Sequence, residues 1–170
     1  MLPVRHPVRV AKEATSIDQL FPDRLIMGVA SGDRKKDFTA LGIEREERGE
    51  LFKQSFDFLD RLLKEENPSI DSDFGIVDSG TMKLMPKPVT TIPTLITGFS
   101  QQSIEWIAEH GDGWMQYPRS IEVQSSLIKD YRELSDREQP GIFKPFTQTL
   151  YIDLLKIQMN NLQKSPWAFV

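Results

Sequence analysis

The spacing of hydrophobic positions changes several times along the chain, and each change marks a new element. In residues 7–21, Val10, Ala14, Ile17 and Phe21 recur at helical spacing and predict an amphipathic helix with that stripe toward the core. Pro22 and Asp23 break it. Residues 25–30 form an unbroken apolar run, which predicts a strand buried on both faces. After a loop over residues 31–43, helical spacing returns in 44–66, where Phe52, Phe56, Leu59 and Leu63 make a stripe widened by Leu51, Phe58 and Leu62. Residues 94–97 read as a strand, 101–110 as a helix with Ile104, Ile107 and Ala108 inward, and 114–117 as a strand. Ser120 caps a helix that reaches Glu138 with Val123, Leu127, Tyr131 and Leu134 on its apolar face. Residues 143–155, rich in β-branched and aromatic side chains, form the last strand, with Pro145 limiting pairing at its start. Helix and strand alternate throughout, which calls for a parallel sheet with helices as crossovers.

Residues 67–93 interrupt this rhythm. They hold four of the eleven prolines and only short apolar runs, so they predict an extended excursion with a small hairpin around 74–82. Loops of this length in a compact domain are functional or mobile, and in a barrel this one would sit over the C-terminal ends of the strands, where substrate enters.

Two strand ends carry chemistry. The apolar run 25–30 stops at Ser31 and Gly32, and the strand 94–97 runs into Gly98, Phe99 and Ser100 before a helix. Free backbone N–H groups at such a turn, with the positive end of the following helix dipole, favour a bound anion. Each residue also has a plainer role open to it: Ser100 as an N-cap, Gly98 as the pivot of a tight turn. Trp106 and Trp114 read as packing. His6 and His110 lack metal-ligand spacing, and Glu105 and Glu109 form a polar helix face, not an acid pair. No metal site is expected.

Composition narrows the partners. The chain is 39% hydrophobic and 27% charged with a formal net charge of −4, so nothing points to nucleic acid or an anionic membrane; Arg34, Lys35 and Lys36 are the one basic cluster of note. There is no cysteine, which suits a reducing cytoplasm, and no apolar stretch approaches the roughly 18 residues of a membrane span. The N-terminus lacks the apolar core of a signal peptide.

The order of these motifs resembles one family. A strand followed by GVASG, then KDF and a later glycine, then strand-GFSQQSIEW and AEHGDGWM, is similar to the bacterial luciferase-like flavin monooxygenases, with a likeness running from about Arg5 to about Leu155. That family folds as a (β/α)8 barrel, which normally takes ~250 residues. At 170 residues the chain is therefore expected to form a partial TIM-barrel of about four parallel strands over residues 1–155, with a divergent tail over 156–170. The resemblance implies a flavin phosphate resting on Ser31 and Gly32 of the first turn and on Gly98, Phe99, Ser100 and Ser103 of the second. Ser31 stands where luciferase has an arginine, a charge that Arg34 could replace, and Asp37 would lie near the isoalloxazine edge. Arg34 as a solvated side chain and Asp37 as a cap are the plainer readings.

The implied activity is oxidation of a small organic substrate such as an aldehyde by reduced FMN and oxygen, with a flavin reductase as possible partner and a deazaflavin as alternative cofactor. No catalytic residue is carried over. A flavin- or phosphate-binding module without turnover, or an inactive remnant, are the competing readings. An incomplete barrel leaves unpaired strand edges, which favours a homodimer, unless the tail with Met159, Leu162, Trp167 and Phe169 folds back as a cover.

Overall fold

A computed structural model describes residues 1–149; the end of the expected last strand and the tail 156–170 lie outside the described residues. The elements are α1 (Pro7–Leu20), β1 (Met27–Val29), α2 (Lys35–Ala40), a 3-10 turn (Arg45–Glu47), α3 (Arg48–Lys64), β2 (Ile70–Ser72), β3 (Gly75–Val77), β4 (Thr94–Thr97), α4 (Ile104–His110), β5 (Gly113–Gln116), α5 (Ile121–Glu138) and β6 (Phe146–Gln148). One sheet holds four parallel strands in the order β1-β4-β5-β6, and β2 with β3 makes a separate antiparallel hairpin. β5 and β6 pair Trp114 with Phe146 and Gln116 with Gln148. The alternation of helix and strand expected of a partial barrel is therefore present.

The chain divides into two compact units, one made of residues 1–95 with 100–102, the other of 96–99 with the residues from Ser103 onward. In the first, α1 packs on α3. Phe52, Phe56, Phe58, Leu59 and Leu62 are buried as the widened stripe of α3 requires, and Glu50 in its first turn with Arg61 and Lys64 in its last complement the helix dipole. The stripe expected on α1 is displaced. Its buried residues are Pro7, Ala11, Ala14, Thr15 and Asp18, whereas Ile17 is 45% and Phe21 59% exposed.

Asp18 explains the rotation. Burial works against its carboxylate, but the N–H groups of Val89 (2.6 Å) and Thr90 (3.2 Å) and the Thr90 hydroxyl (3.0 Å) donate to it and hold its carboxyl below the usual range.

β1 also departs from expectation, since Gly28 is exposed and the neighbouring Ile26 is 65% exposed, so the strand is not buried on both faces. It is an edge strand, and an edge strand lacks a neighbour on one side. The loop expected over 31–43 contains α2, a helix of one and a half turns that buries Phe38.

The excursion 67–93 is corrected in place. It joins the C-terminus of α3 to the start of β4, so its end lies at the N-terminal end of the strands, where the Met27 N–H donates to the Pro93 carbonyl (2.8 Å). The hairpin within it falls four to five residues earlier than expected, at 70–77. Its tip is tied down: His6 contacts the Phe74 carbonyl (2.8 Å) and the Asp73 N–H donates to Gln54 (3.1 Å).

In the second unit α4 packs on α5, and Trp114, 0% exposed, is ringed by Phe99, Tyr131 and Phe146 at centroid distances of 5.3 to 5.5 Å. Trp106 stacks on His110 at 4.3 Å and is half-buried, so Trp114 and not Trp106 fills the core. The α5 line that faces inward is Gln124, Tyr131 and Ser135, with Val123 48% exposed. Lys144 is buried and its Nζ donates to the carbonyls of Ala108 (2.6 Å) and Glu109 (3.3 Å), closing the C-terminus of α4.

Candidate functional site

The residues singled out in the sequence fall into the two units, and each group has its own geometry. In the first unit, Ser31 follows β1 and Ser100 follows the β4 turn, 69 positions later, and the fold joins them: the Ser31 N–H donates to Ser100 Oγ at 3.1 Å. Ser31 is 4% and Ser100 7% exposed. Ser100 and Gln101 both take left-handed backbone, with φ of 48° and 63°. For non-glycine residues that conformation costs about 1–2 kcal/mol each and persists where surrounding contacts impose it. Ser100 is therefore not the cap of α4. Ser103 is, with its hydroxyl accepting from the Trp106 N–H at 3.2 Å.

Two neighbours of this turn escaped the sequence reading. Gly49, in the first turn of α3, lies so close to it that a Cβ there would come 2.9 Å from the Gln101 Cβ, and its carbonyl accepts from Gln102 Nε2 at 2.9 Å. The signal was available: a glycine inside a helix is unfavourable unless something approaches closely. The second neighbour is a pair of half-buried arginines. Arg45 donates through Nε to the Asp33 carbonyl (2.8 Å), two residues past Ser31, and Arg48 donates to the Arg45 carbonyl (2.9 Å). Both are held by backbone carbonyls, and among the described residues neither forms an ion pair.

Arg34 has a different environment. It immediately precedes α2 and reaches Asp37 at 3.6 Å, both side chains at least a third exposed, and Asp37 sits in the first turn where the helix dipole favours an anion. Gly32 has φ of 83° and is covered by Met1, whose Sδ occupies the place a Gly32 Cβ would take. Close approach at Gly32 is thus made by the chain itself.

In the second unit, Gly98 has φ of 61°, and a Cβ there would meet, among the described residues, only the Tyr117 ring, through Cε2 at 3.6 Å. Its N–H donates to the Met115 carbonyl (2.8 Å) and its carbonyl accepts from Trp114 Nε1 (2.6 Å), which fixes the turn on β5. Phe99 lies edge-on to Trp114. Glu105, in the first turn of α4, has its carboxyl held below the usual range by its own backbone N–H and the Ser103 hydroxyl, against the opposing effect of burial. Among the described residues no cluster of acidic, histidine or cysteine side chains could hold a metal, and no helix is long and apolar enough to cross a membrane.

Several known proteins are similar to this chain. A model of the luciferase-like monooxygenase family matches residues 1–148. An uncharacterised protein of Mycobacterium tuberculosis is 28% identical over 142 residues, 81% of this chain and 50% of the relative, so the chain spans about half the length of that relative. The alkanal monooxygenase alpha chain of Aliivibrio fischeri is 28% identical over 65% of this chain and 31% of its own. Among solved structures, a monooxygenase of Streptomyces bottropensis superposes on 96% of this chain and 51% of its own with a TM-score of 0.81 at 21% identity. The oxygenating constituent of 3,6-diketocamphane monooxygenase from Pseudomonas putida, in complex with FMN, gives a TM-score of 0.70 at 13% identity, covering 89% of this chain and 47% of its own. An F420-dependent secondary alcohol dehydrogenase in complex with an F420-acetone adduct gives 0.70 at 16% identity, over 85% of this chain and 44% of its own. These structures share its fold, and the family match over residues 1–148 settles the descent: the chain belongs to the luciferase-like monooxygenases.

Proposed function

We propose that the chain carries the phosphate-binding part of a flavin-dependent oxidoreductase that uses reduced FMN and oxygen on a small organic substrate such as an aldehyde. The observation that carries this reading is the buried contact between Ser31 and Ser100, which joins two strand-end turns across 69 positions at 3.1 Å. Such a join serves no helix or strand ladder. It brings the Ser100 hydroxyl onto the Ser31 amide in a left-handed turn, and Arg45, on which Arg48 rests, is held by the carbonyl of Asp33, two residues past Ser31. Hydroxyls, backbone amides and arginine are the donors a phosphate monoester needs.

In this reading Ser31 and Ser100 donate to the phosphate, Arg45 and Arg48 balance its charge in the role first considered for Arg34, and Gly98 and Phe99 lead the chain into Ser100. Ser103 stays a helix cap. Gly32 contacts the ligand only where the Met1 side chain moves aside, and Asp37 remains paired with Arg34. Bound reduced flavin would supply the electrons that activate oxygen, and the chain would position it and keep water out. FMN is favoured over a deazaflavin because a terminal phosphate matches a compact donor set. A reductase as electron source and a cytoplasmic location belong to the same reading.

Flavin titration of the purified chain tests it. FMN should bind stoichiometrically and more tightly than riboflavin, and turnover with reduced FMN, oxygen and an aldehyde separates an enzyme from a binding module. Absence of FMN binding overturns the reading.

A further inference from the structure

Tyr117 is the first residue beyond β5 and is 53% exposed, although its backbone is firmly held. Its N–H donates to Oε1 of Gln116 at 3.1 Å, and Gln116 is itself 1% exposed. Pro118 confines the residue before it to extended backbone. The ring rests on Gly98, with Cε2 3.6 Å from the position a Cβ would take there. Gly98 is in turn locked on both sides, through its N–H to Met115 and its carbonyl to Trp114. One edge of the ring is thus seated on bare backbone while much of the ring faces solvent.

An aromatic side chain fixed in this way loses little freedom when a second planar ring stacks on it. Its place is also telling. Gly98 follows β4 and Tyr117 follows β5, so both stand at the C-terminal ends of parallel strands, the end at which barrels of this kind bind ligands. We propose that Tyr117 is a ring-contacting residue and that its exposed face takes the planar ring of a flavin. This rests on the flavin reading above, and its test separates a contact to the flavin ring from one to the phosphate.

The experiment titrates the full chain with FMN and with riboflavin, following quenching of flavin fluorescence, for the wild type and for Tyr117→Ala, Tyr117→Leu, Tyr117→Phe and Ser100→Ala. Loss of the ring in Tyr117→Ala should weaken both ligands by about tenfold, the scale of one aromatic pair. Tyr117→Leu, which keeps apolar bulk against Gly98, should lose as much, and Tyr117→Phe should stay within about twofold of the wild type, because the ring and not the hydroxyl makes the contact. Ser100→Ala should weaken FMN far more than riboflavin. Wild-type affinity in Tyr117→Ala or Tyr117→Leu overturns the assignment and leaves the flavin reading standing, as does a loss in Tyr117→Phe equal to that in Tyr117→Ala. A wild type that binds neither ligand overturns both.

Discussion

Replacing Ser100 separates two opposing energies that the structure places on one residue. The Ser31 N–H is buried and donates to Ser100 Oγ at 3.1 Å, so Ser100→Ala removes an acceptor from a donor with little access to water. A buried group left without its partner costs about 1–3 kcal/mol. Ser100→Gly removes the same acceptor but also relieves the left-handed backbone, φ 48°, which costs a side-chain-bearing residue about 1–2 kcal/mol. Part of that gain is offset by the greater freedom of glycine in the unfolded chain, about 0.5–1 kcal/mol. The expected order is therefore wild type most stable, Ser100→Gly next and Ser100→Ala last, the two variants differing by about 0.5–1 kcal/mol. Urea unfolding followed by far-UV circular dichroism reads this directly: with a slope of about 1–3 kcal/mol/M, a loss of 2 kcal/mol moves the midpoint by about 1 M. A Ser100→Ala midpoint equal to the wild type would show that the contact carries no stability. A Ser100→Gly variant less stable than Ser100→Ala would refute the strain argument.

Three further outcomes are expected. Trp114→Phe keeps most of the ring at a site that is 0% exposed but removes the N–H that donates to the Gly98 carbonyl at 2.6 Å, and should destabilise the chain by about 1–3 kcal/mol in urea unfolding; no shift would mean that the turn does not depend on this bond. Because the Asp18 carboxyl is held below its usual value, its stabilising contribution is complete above the unfolded-state pKa of about 3.9 and fades as pH falls through the lower folded value. The gap in urea midpoint between wild type and Asp18→Asn should thus close on acidification below about pH 4, and a gap independent of pH would contradict this. Ile17, Leu20, Phe21 and Ile26 are 45%, 73%, 59% and 65% exposed, and they are expected to support a homodimer that Phe21→Lys converts to monomer in sedimentation at micromolar concentration; a monomeric wild type would reject it.

The architecture was legible because period and punctuation agree over most of the chain. The stripe Phe52, Phe56, Leu59 announces α3, and Ser120 announces the start of α5, where its hydroxyl accepts from the Val123 N–H. The features that were not legible depend on contacts distant in sequence. Nothing local distinguishes Ser100 from Ser103 as the cap of α4, since both precede the helix within the run FSQQS. The choice is made by Ser31, 69 residues earlier, whose N–H draws Ser100 out of a capping position and into a left-handed turn. α2 was missed for another reason: six residues burying one phenylalanine are too few to show a period. The excursion was misplaced because its position depends on connectivity and not on composition: a segment between a helix and the next strand of a parallel sheet returns to the N-terminal end.

The α1 helix shows how a correct reading of apolarity can still assign the wrong face. Val10, Ile17 and Phe21 share a helical stripe, yet the face packed on α3 is the one carrying Ala11, Ala14, Thr15 and Asp18. Small side chains let the two helices approach, and the carboxylate anchors residues 89 and 90 with three hydrogen bonds that no apolar face could supply. The helix is thereby left with a second apolar surface, on which Ile17 and Phe21 are exposed. In a closed barrel each strand has two neighbours and each helix packs between others, so a helix apolar on two faces is what membership of such a fold requires. The sequence stripe therefore recorded the demand of a barrel helix for two neighbours, and the described residues supply one of them, α3.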